Sequence, residues 1–284
     1  MAQAMTWREL SVAERERAYS PSSAIGGNYQ PFITAYAERS AMARARMPHR
    51  LNQVFGSEGA LALDLFVPSG MAAPPPLLLF IHGGYWQELS KEASSFAAND
   101  CVERGFAFAA VDYTLAPQAG LAQMVAECDE ALAWLVREAP QLGFDGQRIV
   151  LAGSSAGSHL AAMLALQTRQ HVAGVVLVSG IFELEPLVGT SINDALGLSV
   201  ASAQALSPAL KSLVGMPSTI VCWGEIETDE FKRQSCDLAA QLQAVGVTVQ
   251  AFEVPARNHF DLILELADIK TPLGQHVVAL MHSI

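Results

Sequence analysis

Three stretches of this 284-residue chain carry residue types that do chemistry together. The first is Gly153-Ser154-Ser155-Ala156-Gly157. The apolar run 148–152 before it predicts a strand, and the Ala- and Leu-rich run 155–170 predicts a helix. A serine on so sharp a strand-to-helix turn is forced into strained backbone, with its hydroxyl held clear at a helix N-terminus. The second stretch is His82-Gly83-Gly84-Tyr85-Trp86, after the apolar run 77–81. Acyl transfer develops a negative oxygen that needs donors already in place. Two adjacent glycines let the amides of Gly84 and Tyr85 turn toward it, joined by the amide of Ala156 behind the serine. The third is His259. A serine at its free pKa needs a base, and His259 follows the apolar run 247–254 through a short loop, 255–258. Of the other histidines, His82 reads as part of the oxyanion loop and His159 as pointing along its helix, away from Ser155.

An acid must hold the imidazole in its tautomer and stabilise its positive charge. It should follow the run 219–223, where Glu225, Glu227, Asp229 and Glu230 stand. Asp229 and Glu230 also suit the first turn of the next helix, where negative charge is favourable. Glu227 and Glu225 are therefore the better loop candidates, and composition does not choose between them.

The elements that must position these residues alternate along the chain. Strands are expected at 61–67, 77–81, 106–113, 148–152, 172–178, 219–223 and 247–254. Helices are expected at 90–104, 121–142 (broken by Pro140), 155–170 and 230–245, with a last helical region beginning at 260–267. Strands apolar on both faces belong to a buried, mostly parallel sheet with helices on both sides. Ligands of such sheets sit beyond the carboxyl ends of the strands. Residues 1–50 differ, with helical stretches at 7–17 and 32–46 around a loop at 20–30. They read as a helical arm or cap, with 51–284 as one catalytic domain.

Composition excludes several classes. The chain is 51% apolar and 16% charged, enough to fill a large core. Its formal net charge of −11 repels phosphate backbones, so no nucleic-acid partner is expected. Arg44, Arg46 and Arg50, the nearest approach to a basic cluster, read as a solvated helix edge. No run reaches the ~18 apolar residues of a membrane helix. The segment MAQAMTWREL has no secretory core. The four cysteines fit no CxxC pattern and read as reduced thiols. A cytoplasmic, metal-independent enzyme without a cofactor is expected, with a small-molecule substrate and the possibility of a homodimer.

His82–Gln87 (HGGYWQ) resembles the HGGxW motif of the kynurenine formamidases (arylformamidases), a branch of the α/β-hydrolases near the hormone-sensitive-lipase esterases. Tyr113-Thr114-Leu115-Ala116-Pro117, Glu230-Phe231, Arg233-Gln234-Ser235 and Asn258-His259-Phe260 are similar to the same branch. The resemblance spans about residues 77–262. It implies an α/β-hydrolase fold and a triad of Ser155, Glu227 and His259, with glutamate standing where the family has aspartate and Asp229 in reserve. It implies metal-free hydrolysis of the N-formyl group of N-formylkynurenine through a formyl-serine, with Tyr85, Trp86 and Phe260 stacking on the arylamine. The alternative is a carboxylesterase, or an amidase or carbamate hydrolase, on another small substrate, since chemistry on a shared fold is decided by the pocket.

Overall fold

A computed structural model describes residues 6–56 and 61–284, the Arg169 side chain excepted. Residues 1–5, the start of the segment in which no secretory signal is expected, lie outside the described residues. The strands are β1 (His49–Phe55), β2 (Leu61–Phe66), β3 (Leu77–Ile81), β4 (Ala107–Val111), β5 (Ile149–Ser154), β6 (Gly174–Val178), β7 (Ser218–Ile226) and β8 (Val249–Asn258). They form one sheet in the order β1-β2-β4-β3-β5-β6-β7-β8. β1 and β2 run antiparallel to their neighbours, and the rest is parallel.

The centre of the sheet follows from its residues. β3, β4, β5 and β6 are buried at every position, so each strand serves two cores. Leu77, Leu79 and Ile81 enter one core, and Leu78 and Phe80 enter the other, as the period-2 alternation of a strand requires. Helices α4 (Leu121–Leu142), α5 (Ala156–Gln167) and α8 (Asp229–Ala244) cover the first face. Helices α2 (Gln30–Arg46), α3 (Ala98–Glu103) and α9 (Pro272–Ser283) cover the second. The short helices α1 (Val12–Ala18), α6 (Ile192–Leu196) and α7 (Val200–Ala205) lie in the connections.

Several elements differ from expectation. β1 is an additional strand and spans residue 50. It is exposed or partly buried up to Val54 and buried only at Phe55, so it carries no continuous apolar run. α4 continues through Pro140, which lies two residues from its C-terminus and interrupts little of the hydrogen-bond ladder. The expected helix at 90–104 splits into a 3-10 turn, Lys91–Ala93, and α3. The expected loop 255–258 belongs to β8, where Pro255 is tolerated because β8 is an edge strand. Arg44 does not sit on a solvated helix edge. Its Nε donates to buried Asp64 at 3.1 Å and its Nη2 to the Lys91 carbonyl at 2.9 Å. That ion pair fastens α2 to the sheet.

Candidate active site

Ser155 stands between β5 and α5 at φ 55° and ψ −120°, a conformation that L-residues rarely adopt. The turn closes because its flanks are glycines. A Cβ on Gly157 would lie 2.0 Å from the Ile81 carbonyl oxygen, and one on Gly153 would lie 2.2 Å from the Gly157 oxygen. β5, the start of α5 and the end of β3 therefore pack backbone to backbone. That contact brings the loop after β3 against Ser155.

The loop itself is unusual. Gly84, Tyr85 and Trp86 all have positive φ, at 91°, 49° and 59°. The Gly84 carbonyl accepts the N–H groups of Gln87 and Glu88, which leaves the Gly84 and Tyr85 amides outside the turn's own hydrogen bonds. The Ala156 amide lies in the first turn of α5, where intrahelical acceptors are lacking. His82 anchors the loop from below. It stacks on Tyr113 at 4.4 Å, and its Nδ1 lies 2.9 Å from the Gly83 carbonyl. Because a carbonyl only accepts, Nδ1 carries the proton. Burial pushes the imidazole down to about 4, against the raising effect of that hydrogen bond.

His259 follows β8 and is buried. Its Nδ1 lies 3.0 Å from Glu227 Oε2, and the Glu227 side chain has no exposure. Glu227 Oε1 accepts from Ser179 Oγ and from the Gly224 N–H, each at 2.6 Å. The other acid candidates are elsewhere. Glu225 is exposed and accepts the Ala256 N–H. Asp229 is exposed at the first position of α8. Glu230 accepts the Tyr19 hydroxyl at 2.5 Å. His159 points away from Ser155, with Nε2 2.8 Å from the Leu206 carbonyl.

Ser155, His259, Gly84, Tyr85 and Phe260 line one cavity of about 370 Å³. The N-terminal arm supplies much of its wall, including Tyr19, Tyr29, Ile33 and Tyr36, and Phe80, Phe96 and Ile263 add apolar lining. Phe260 stacks on Tyr29 at 5.3 Å and on Phe32 at 5.8 Å. The Tyr85 hydroxyl donates to the Tyr19 carbonyl. Trp86 corrects one expectation: it is wholly buried, packs edge-on against His159 at 5.2 Å and belongs to the core, so it has no face to offer a substrate.

Sequence reasoning missed Ser179 and the arm residues. Ser179 follows β6 directly, and chemistry at the carboxyl ends of strands is the signal that could have found it. The arm residues carry no motif, and only packing brings them to the cavity.

A serine on a strained strand-to-helix turn, a histidine paired to a carboxylate and a glycine loop beside both, on this sheet, define a hydrolase of the α/β-hydrolase class. The BD-FAE family model matches residues 63–190. A crystal structure of a candidate thioesterase from Silicibacter sp. TM1040 superposes with a TM-score of 0.81 at 28% identity, covering 93% of this chain and 97% of that one. An esterase from Pyrobaculum calidifontis shares the fold with a TM-score of 0.76 at 21% identity, over 89% of this chain and 92% of that one.

Kynurenine formamidase of Salmo salar is 31% identical over 97% of this chain and 98% of its own length. Kynurenine formamidase of Danio rerio is 29% identical over 92% and 94%. The chain belongs to the kynurenine formamidase family. Among the described residues no helix is long and apolar enough to cross a membrane, and no group of three or more His, Cys, Asp and Glu side chains could hold a metal ion.

Proposed function

We propose that this enzyme hydrolyses the N-formyl group of an arylformamide such as N-formylkynurenine, with Ser155 as nucleophile, His259 as base and Glu227 as the acid that orients it. His259 takes the Ser155 proton as Oγ attacks the formyl carbon. The oxyanion rests on the amides of Gly84, Tyr85 and Ala156. The C–N bond breaks, and His259 returns the proton to the departing arylamine. Water, deprotonated by the same imidazole, then releases formate from the serine. Tyr85 and Phe260 offer rings to the aryl group. The described part of the arm acts as a cap that excludes water from one side of the cavity.

The observation that carries the mechanism is the His259–Glu227 pair at 3.0 Å and a serine at φ 55°, with His259 and Ser155 lining one cavity. The substrate class rests on the near-full-length likeness to the formamidases. A second reading, esterase or amidase activity on a larger acyl group, is favoured by the apolar part of the cavity at Phe80, Phe96 and Ile263, which a formyl group does not fill. Steady-state kcat/KM for N-formylkynurenine and p-nitrophenyl acetate, with wild type and Ser155→Ala, separates the two. Preference for the formamide by orders of magnitude, abolished in Ser155→Ala, supports the first. Cleavage of the ester alone moves the substrate to the second.

A further inference from the structure

Glu16 lies on α1 in the N-terminal arm, 139 positions before the serine, and lines the same cavity as Ser155 and His259. Its carboxylate is fixed in place. Oε2 accepts the Ser191 hydroxyl at 2.9 Å, and Oε1 accepts the Ser191 backbone N–H. Those contacts join the arm to the wall formed by Ser191 and Ile192.

No Lys or Arg lines the cavity, whose other charged or titratable side chains include Glu88, His82 and His259. Among the described residues no Lys or Arg forms an ion pair with Glu16, and its neighbour Arg15 is turned to the Pro186 and Val188 carbonyls instead. His82, pushed down to about 4 chiefly by burial, supplies no positive charge near neutral pH. Burial first, and then Tyr19 and Glu16, hold the Tyr85 phenol well above its ordinary value, so the Glu16 charge is felt beside the loop of Gly84 and Tyr85. A held carboxylate without a counter-ion, partly withdrawn from water, attracts a cation and repels an anion more strongly than an exposed one does.

We propose that Glu16 is a specificity residue that takes a cationic nitrogen of the substrate, remote from the scissile bond, so that the site prefers an aryl substrate that places an ammonium there to one that places a carboxylate there. This rests on the arylformamidase reading in one respect. With formyl as the acyl group, the nitrogen must belong to the arylamine half, because a formyl group has no place for it.

The test is a set of three formanilides of matched size whose ring substituent ends in an ammonium, a methyl or a carboxylate, and the corresponding three phenyl acetates. The wild type is expected to rank kcat/KM as cation, neutral, anion. Glu16→Gln keeps a carbonyl acceptor for the Ser191 N–H while removing the charge. It should shrink the cation-to-neutral ratio about tenfold, chiefly through KM, the scale of one charge-assisted hydrogen bond. Ser191→Ala loses one anchor but keeps the charge, and should retain most of the ratio. A merely structural latch would reverse this pattern, with both variants lowering all three substrates alike.

Should only the esters be cleaved, and in the order cation, neutral, anion, the substrate class proposed above fails and the role of Glu16 stands. Formamide turnover with no charge order, or with an order that Glu16→Gln leaves unchanged, overturns the role of Glu16 alone. Where turnover is absent, calorimetric binding of the three formanilides to Ser155→Ala, with and without Glu16→Gln, reads the same order. Equal affinities there overturn the proposal.

Discussion

The Ser179 hydroxyl donates to Glu227 Oε1 at 2.6 Å, on the carboxylate oxygen that His259 does not use. Together with the Gly224 N–H at 2.6 Å, it leaves Glu227 with one oxygen anchored and the other aimed at the imidazole. Glutamate has one more rotatable bond than the aspartate of the family motif, and the two donors remove that freedom. Ser179 itself sits at φ 51°, where glycine is comfortable. Ser179→Gly therefore deletes the hydroxyl without straining the backbone. Its kcat is expected to fall by about 10–100-fold, the cost of one hydrogen bond to a charged group, with KM little changed. The downfield proton resonance of the His259–Glu227 hydrogen bond should broaden or move. Loss of folding stability with that resonance intact would make Ser179 a packing residue instead.

On the proposed mechanism Ser155, His259 and Glu227 act as a unit, so their substitutions are expected to be non-additive. Ser155→Ala is expected to lower kcat on the order of 10⁴-fold or more, and adding His259→Ala should cost little further. Glu227→Gln keeps the size of the side chain and withdraws the charge from a site with no exposure, and should lower kcat by roughly 10³–10⁴-fold. Single-turnover kinetics of the three variants and the double variant check this. A double variant far weaker than Ser155→Ala would show that His259 acts on a route that does not pass through Ser155.

The layout of the candidate site was legible in the sequence because its residues sit at strand ends, and continuous apolar runs marked the strands. Gly153 to Gly157 and His82 to Trp86 each carry glycines that backbone approach requires, and those leave a pattern. Glu227 could not be told from Glu225 by residue type. What separates them is burial, which depends on how β7 and β8 pair beyond Gly224, where the register shifts. β1 escaped notice because an edge strand needs no apolar run, and Trp86 misled because an aromatic beside a glycine loop reads the same whether it faces the cavity or the core. Glu16, Tyr19 and Tyr36 carry no local signal at all. They reach the cavity because Arg44 pairs with Asp64, and Tyr19 with Glu230, to fold the arm over the sheet.

Gly157 permits the close passage of α5 under the end of β3. In Gly157→Ala the new methyl would meet the backbone oxygens of Ile81 and His82 at 2.0 and 2.6 Å, and neither can give way without breaking the sheet. A loss of roughly 3 kcal/mol is expected, which lowers Tm by about 6–12 °C in a chain of this size. Gly120→Ala is the control, since nothing lies within 4 Å of its Cβ. Thermal melts of both variants decide the matter, and equal Tm values would mean that the elbow is far looser than its geometry indicates.

His82 and His159 are buried, and burial pushes each down to about 4 from an ordinary value of 6.5. Between those values the unfolded chain takes up a proton at each position that the folded protein refuses. The unfolded state then binds more protons, so stability is highest above pH 6.5 and is lost as pH falls toward 4. The loss is on the order of 3 kcal/mol per histidine by the end of that window. His159 lies away from Ser155, so His159→Gln can report this without touching the proposed chemistry. Its side-chain amide can still donate to the Leu206 carbonyl, and it has no proton to gain. Chemical denaturation at a series of pH values should show a shallower fall between pH 6.5 and 4 for the variant than for the wild type. Parallel curves would mean that His159 is protonated in the folded protein.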